Sequence, residues 1–120
     1  MPRPRKCRRV CSLPKFSEFG PGDAKDGNTE PVVLTVDEYE AIRLIDNENL
    51  SQEECCRYMD ISRTTVQEIY SAARKKLAAA LVNGRPLTIR GGNYHICGEN
   101  NPHCGRKGCI RHRFGFEHND

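Results

Sequence analysis

A mainly α-helical fold is what this sequence predicts: a three-helix domain containing a helix-turn-helix and followed by a β-hairpin. Three observations carry that prediction. Two segments open with the reciprocal Ser/Thr-x-x-Glu spacing of a helix N-terminus, Thr35 with Glu38 and Ser51 with Glu54. A third starts at Ser62, a good N-cap, and has the longest helical periodicity in the chain. Beyond it, two alternating apolar segments flank Gly91-Gly92, the composition of a two-residue hairpin turn.

Taken in order, residues 1–33 read as a basic arm and linker. They are punctuated by proline and by the turn sequences Gly20-Pro21-Gly22-Asp23 and Asp26-Gly27-Asn28. The first helix follows Thr35, with Tyr39, Ile42 and Ile45 on one face, and runs to about Asp46. After a break at Asn47-Glu48-Asn49, a short helix runs from Ser51 through Met59. The third helix places Val66, Ile69, Tyr70, Ala73, Leu77 and Leu81 on one face and stops at Asn83-Gly84. Some twenty residues give it a length of about 30 Å. In the expected hairpin Ile89 faces Tyr94 and Leu87 faces Ile96, so that it covers apolar surface the helices leave open. The domain is thus residues 34–96, and residues 97–120 form an aperiodic tail rich in Cys and His.

The chain of 120 residues carries a net charge of only +3, but the charge is segregated. Arg3, Arg5, Lys6, Arg8, Arg9 and Lys15 precede the first acid, Glu18; acids dominate to Asp60, and cations again thereafter. Such segregation suits a polyanion at one face. Met1 to Lys6 leads into no apolar stretch, and no long apolar run occurs, so a cytoplasmic protein without a membrane span is expected. In a reducing compartment the seven cysteines read as core thiols or metal ligands rather than disulfides.

The second and third helices have the spacing of a helix-turn-helix. Its inward positions fall on Cys55, Met59, Ile61, Val66 and Ile69, with Cys56 small enough for a close helix crossing. Its turn needs a residue of positive φ, and Asp60 is among the non-glycine residues that tolerate it. On the opposite face of the third helix, Ser62, Arg63, Thr64, Gln67 and Glu68 offer the chemistry of base reading. Arginine pairs with guanine, glutamine with adenine, glutamate with a cytosine amino group, and threonine methyl with thymine methyl. Arg74, Lys75 and Lys76 are placed to meet phosphate, and Arg3, Arg5 and Lys6 to enter a minor groove. The acidic first helix, with Asp37, Glu38 and Glu40, would be repelled by DNA and is expected away from it or against a protein partner.

Asp60 to Leu77 resembles the end of a sigma-factor region-four domain. Four further stretches extend the likeness: Met1 to Arg9, Asp37 to Leu44, Ser51-Gln52-Glu53-Glu54, and Leu87 to Tyr94. Together they make the chain, to about residue 96, similar to the family called domain of unknown function 134. The resemblance implies a predicted DNA-binding protein without naming a target.

In the tail, Cys97, Cys104, Cys109 and His112 are separated by six, four and two residues, a donor set suited to tetrahedral zinc, with His103 or His95 able to replace His112. Cys7 and Cys11 could complete a site across the two tails, and an all-cysteine iron–sulfur cluster is then an alternative. No Gly-rich phosphate loop, nucleophile with adjacent base or isolated carboxylate pair is legible, so no enzyme is expected. The function expected is sequence-specific binding of double-stranded DNA by a regulator, as a homodimer or monomer. The alternative is a metal- or redox-handling protein whose helical domain meets a protein partner.

Overall fold

The computed structural model describes residues 8–22 and 30–97. Along the chain these form β1 (Arg8–Val10), β2 (Glu18–Phe19), β3 (Val32–Leu34), α1 (Val36–Ile42), α2 (Gln52–Met59), α3 (Arg63–Asn83), β4 (Leu87–Ile89) and β5 (Tyr94–Ile96). A π-helical turn, Arg43–Asn47, continues α1.

Each helix begins where the sequence supplies a cap. Thr35 Oγ1 accepts from the Glu38 N–H while a Glu38 carboxylate oxygen accepts from the Thr35 N–H, and Ser51 and Glu54 do the same for α2. Ser62 Oγ accepts from the Thr65 N–H at 3.1 Å. Reciprocal caps satisfy donors that a helix leaves without intrahelical partners. The third helix ends at Gly84, in the left-handed region at φ 64°. Its 21 residues span about 32 Å.

Two apolar clusters hold the fold. One joins Leu44 and Leu50 to Cys55, Met59, Ile61, Val66 and Ile69, so every expected inward position of the helix-turn-helix is buried. The other packs Val10, Val32, Leu34, Leu87 and Ile89 against Val36 and Ala73. Full burial of a side chain such as Leu44 or Val10 contributes about 1.5–3 kcal/mol each. The π turn serves the first cluster: Glu48 N–H donates to Arg43 C=O and Leu50 N–H to Leu44 C=O, which brings Leu50 back onto the helices. The expected apolar face of α3 stops short of its end, because Leu81 is 84 % exposed.

β4 and β5 lie where strands were expected, but they do not pair with each other. β4 is the centre of a three-stranded sheet, antiparallel to β2 and parallel to β3, while β5 runs parallel to β1. A strand has two edges, and both edges of β4 are occupied. Leu87 therefore stands opposite Phe19 and Val32 rather than Ile96, and Ile89 opposite Leu34 rather than Tyr94. The Gly91-Gly92 segment serves α1 instead of a hairpin. Gly91 C=O accepts from the Val36 N–H at 2.9 Å, and a Cβ on Gly92 would fall 2.8 Å from Thr35 Cβ. Only glycine, here at φ 103°, fits that approach.

The expected arm and linker are likewise part of the fold from Arg8 onward. Val10 is completely buried, and β2 and β3 flank β4. Alternation over two or three residues is too short to stand out from a basic run, which is why the sequence did not reveal these strands.

Candidate nucleic-acid interface

The candidate reading surface starts at the turn between α2 and α3, which consists of Asp60, Ile61 and Ser62. Asp60 sits in the left-handed region at φ 57° and ψ 49°, as its role in the turn requires, and its N–H donates to Arg57 C=O. Ile61 N–H donates to Cys56 C=O and its side chain turns inward. The next helix is thereby seated by Ile61, Val66 and Ile69, which point its other face outward. Arg63, Thr64, Gln67 and Glu68 are all exposed on that face, with Ser62 at its start. Ser71, one turn beyond Gln67, is exposed on the same stripe and was not singled out by sequence; its i+4 spacing is the signal that could have found it.

The remaining expected cations divide. Lys75 is exposed. Arg74 is exposed too, but leans back over the Tyr70 ring, 5.4 Å from its centroid, with Nε 3.7 Å from the Asp46 carboxylate. The Tyr70 hydroxyl donates to the same carboxylate at 2.7 Å, and partial burial together with that hydrogen bond pushes its pKa up. Lys76 is committed elsewhere: its Nζ donates to the Glu38 carboxylate at 2.7 Å and ties α3 to the cap of α1. Arg3, Arg5 and Lys6 lie outside the described residues. The arm's Arg9 caps α2, donating from Nε to Tyr58 C=O and from Nη2 to Arg57 C=O, where the helix dipole favours a cation.

The first helix does not present an acidic face to a partner. Asp37, Glu38 and Glu40 are 7 %, 7 % and 2 % exposed, and each meets a cation. Asp37 pairs with Arg8, Glu38 with Lys76, and Glu40 accepts two hydrogen bonds from Arg43 at 2.9 and 2.8 Å. Burial works against the Arg43 charge, but the hydrogen bonds and attraction of Glu40 outweigh it, so the Arg43 pKa is raised. The physical reason for the correction is that Arg8 and Lys76, remote in sequence, converge on α1 and allow its acids to face inward.

Of the cysteines, Cys55 is fully buried with its thiol directed at Met59 Sδ, 3.7 Å away, and burial pushes its pKa up to about 12. Cys56 is half-buried and donates to Glu53 C=O. Both are packing residues. Cys97 is buried at the end of β5, while Cys104, Cys109 and His112 lie outside the described residues. Among the described residues no three Cys, His, Asp or Glu side chains cluster as a metal site. No helix among them is long and apolar enough to cross a membrane.

Likeness to other proteins extends over the whole of this geometry. The family model described as "Protein of unknown function DUF134" matches residues 1–97. The chain belongs to that family. Among its relatives, UPF0251 protein DSY3441 of Desulfitobacterium hafniense is 54 % identical over 113 residues, covering 94 % of this chain and 90 % of the relative. UPF0251 protein Teth39_0655 of Thermoanaerobacter pseudethanolicus is 47 % identical over 115 residues, covering 96 % of this chain and 95 % of the relative. A UPF0251 protein of Caldicellulosiruptor bescii is 54 % identical over 94 residues, 78 % of this chain and 65 % of the relative. No solved structure matches.

Proposed function

We propose that this DUF134 protein is a sequence-specific DNA-binding regulator that reads the major groove with the first two turns of α3. One observation carries the reading. Arg63, Thr64, Gln67 and Glu68 stand exposed together, immediately after a three-residue turn, on the face opposite the buried Val66 and Ile69. A helix seated in this way by its neighbour is the element that enters a major groove, and these side chains hold donors and acceptors matched to base edges. Lys75, further along the helix, meets the phosphate backbone and contributes affinity without sequence preference. The acids of α1 do not oppose DNA, because each is already paired inside the protein. The protein works by binding in the cytoplasm rather than by catalysis.

Selection from randomised duplex DNA with the purified protein tests this reading, and a palindromic motif would identify a dimer. An enriched motif is expected. On that motif, Arg63→Ala and Gln67→Ala each weaken binding by about 1–3 kcal/mol and relax preference at single positions. Absence of any enriched motif, or full affinity in both variants, would overturn the assignment of α3 as reader.

A further inference from the structure

Six large apolar side chains stand exposed among the described residues, and four of them, Leu13, Phe16, Phe19 and Leu81, line two adjoining grooves. The first groove, of about 520 Å³, is lined by Leu77, Ala80 and Leu81 of α3 and by Phe19 and Leu87 of the neighbouring strands. The second continues it past Leu13 and Phe16, in the segment between β1 and β2, and Phe19, Tyr39 and Ile42 line both. Tyr39, Ile42 and Leu77 are half-buried, packed on one side against the second apolar cluster and open on the other to the grooves. The charges beside this face are of both signs: Lys15 precedes Phe16, Glu18 precedes Phe19, and Arg85 is held by the Glu30 carbonyl at 3.0 Å.

We propose that this face is the interface of a two-fold dimer, in which the grooves of each copy receive the exposed apolar side chains of a second copy of this chain. A two-fold contact needs projections and hollows on one patch, and here Phe16 and Leu81, 69 % and 84 % exposed, stand at the edges of the grooves. A small apolar molecule would fill a groove and leave these side chains in water, whereas a second copy covers both. The four side chains present about 450 Å² of apolar surface. Doubled by symmetry and joined by the groove walls, the contact removes roughly 1,000 Å² or more from water, where specific interfaces begin. Neighbouring charges of both signs suit a copy of the same chain, since a two-fold axis can turn the cations of one protomer toward the acids of the other. The apolar residues at the end of α3, which find no core within one chain, then pack between two. The reading residues lie outside this face: Arg63 and Gln67 precede Leu77 and Leu81 by fourteen residues, about 21 Å. Two copies joined at their helix ends hold the reading turns up to roughly 40 Å apart, a range that includes the ~34 Å of one DNA turn. That spacing rests on α3 being the DNA reader, but the dimer does not.

Sedimentation equilibrium of the full chain, reduced and without DNA, tests the proposal. Wild type is expected to be dimeric at micromolar concentration. Leu81→Glu and Phe16→Ser each enter a two-fold contact twice, and each should weaken self-association by at least roughly thirtyfold. Because both side chains are exposed, the circular dichroism of the two variants should match that of wild type. An equal mixture of 13C-labelled and unlabelled wild type locates the contact without any substitution: intermolecular NOEs are expected at the methyl groups of Ile42, Leu77 and Leu81. A monomeric wild type overturns the proposal, whether the face is then open, filled by an apolar small molecule or covered by another part of the same chain. A dimer whose intermolecular NOEs lie elsewhere, or one that both variants leave intact, overturns it equally. A dimer that enriches no DNA motif counts against α3 as the reader and leaves this interface standing.

Discussion

α1 and α3 both carry many charges, and they dispose of them in opposite ways. On α1 the acids Asp37, Glu38 and Glu40 are buried, each against a cation. On the first turns of α3 the polar residues are exposed and the helix is fixed by Val66 and Ile69 on its other side. A charged residue on a buried helix face serves the fold, and its loss costs stability. One on the exposed face of a helix anchored by apolar contacts is available for recognition, and its loss should cost binding alone. The two helices therefore separate stability from recognition in a way that mutation can test.

The largest effect is expected at Glu40. Glu40→Ala leaves Arg43 buried without its principal counter-charge and deprives the Cys11 N–H of its acceptor, so urea denaturation should show a destabilisation of about 3–5 kcal/mol. Replacing Glu40 and Arg43 together by leucine should recover much of that stability, since the pair's attraction is offset by its own desolvation. Arg63→Ala is the matching change on α3, and its unfolding free energy should stay within about 0.5 kcal/mol of wild type. A large destabilisation there would erase the contrast between the helices.

Cys55 sharpens the comparison through pH. Its folded pKa of about 12 lies above the ordinary thiol value of 9.0, so the folded state holds the proton more tightly than the unfolded state. The stability linked to it is complete below pH 9 and is lost as pH rises towards 12, at no more than about 1.4 kcal/mol per pH unit. Denaturation midpoints measured through that window should fall more gently in Cys55→Val. A smaller effect belongs to the turn: Asp60→Ala places a Cβ-bearing residue without a polar side chain at φ 57° and should cost about 1 kcal/mol, most of it recovered in Asp60→Gly.

The smallest and most specific change concerns the arm. Truncation after Lys6 removes Arg3, Arg5 and Lys6 while keeping Arg8 and Arg9, which pair with Asp37 and cap α2. On a selected DNA site the slope of log affinity against log salt should become shallower by about 0.9 for each phosphate that the shortened arm no longer neutralises. Removing Arg8 and Arg9 as well would confound that measurement with unfolding.

The sequence by itself determined the three helices, their caps, the left-handed Asp60 and the buried positions of the helix-turn-helix. Each of these is set within about four residues of chain, through hydrogen bonds and periodicities that any reader of the sequence can count. The tertiary structure alone decided the strand partners, the inward turn of the α1 acids and the capping role of Arg9. These depend on segments tens of residues apart. Strands of two or three residues carry too little pattern to specify a partner, and a charge carries no mark of the counter-ion that folding will bring to it.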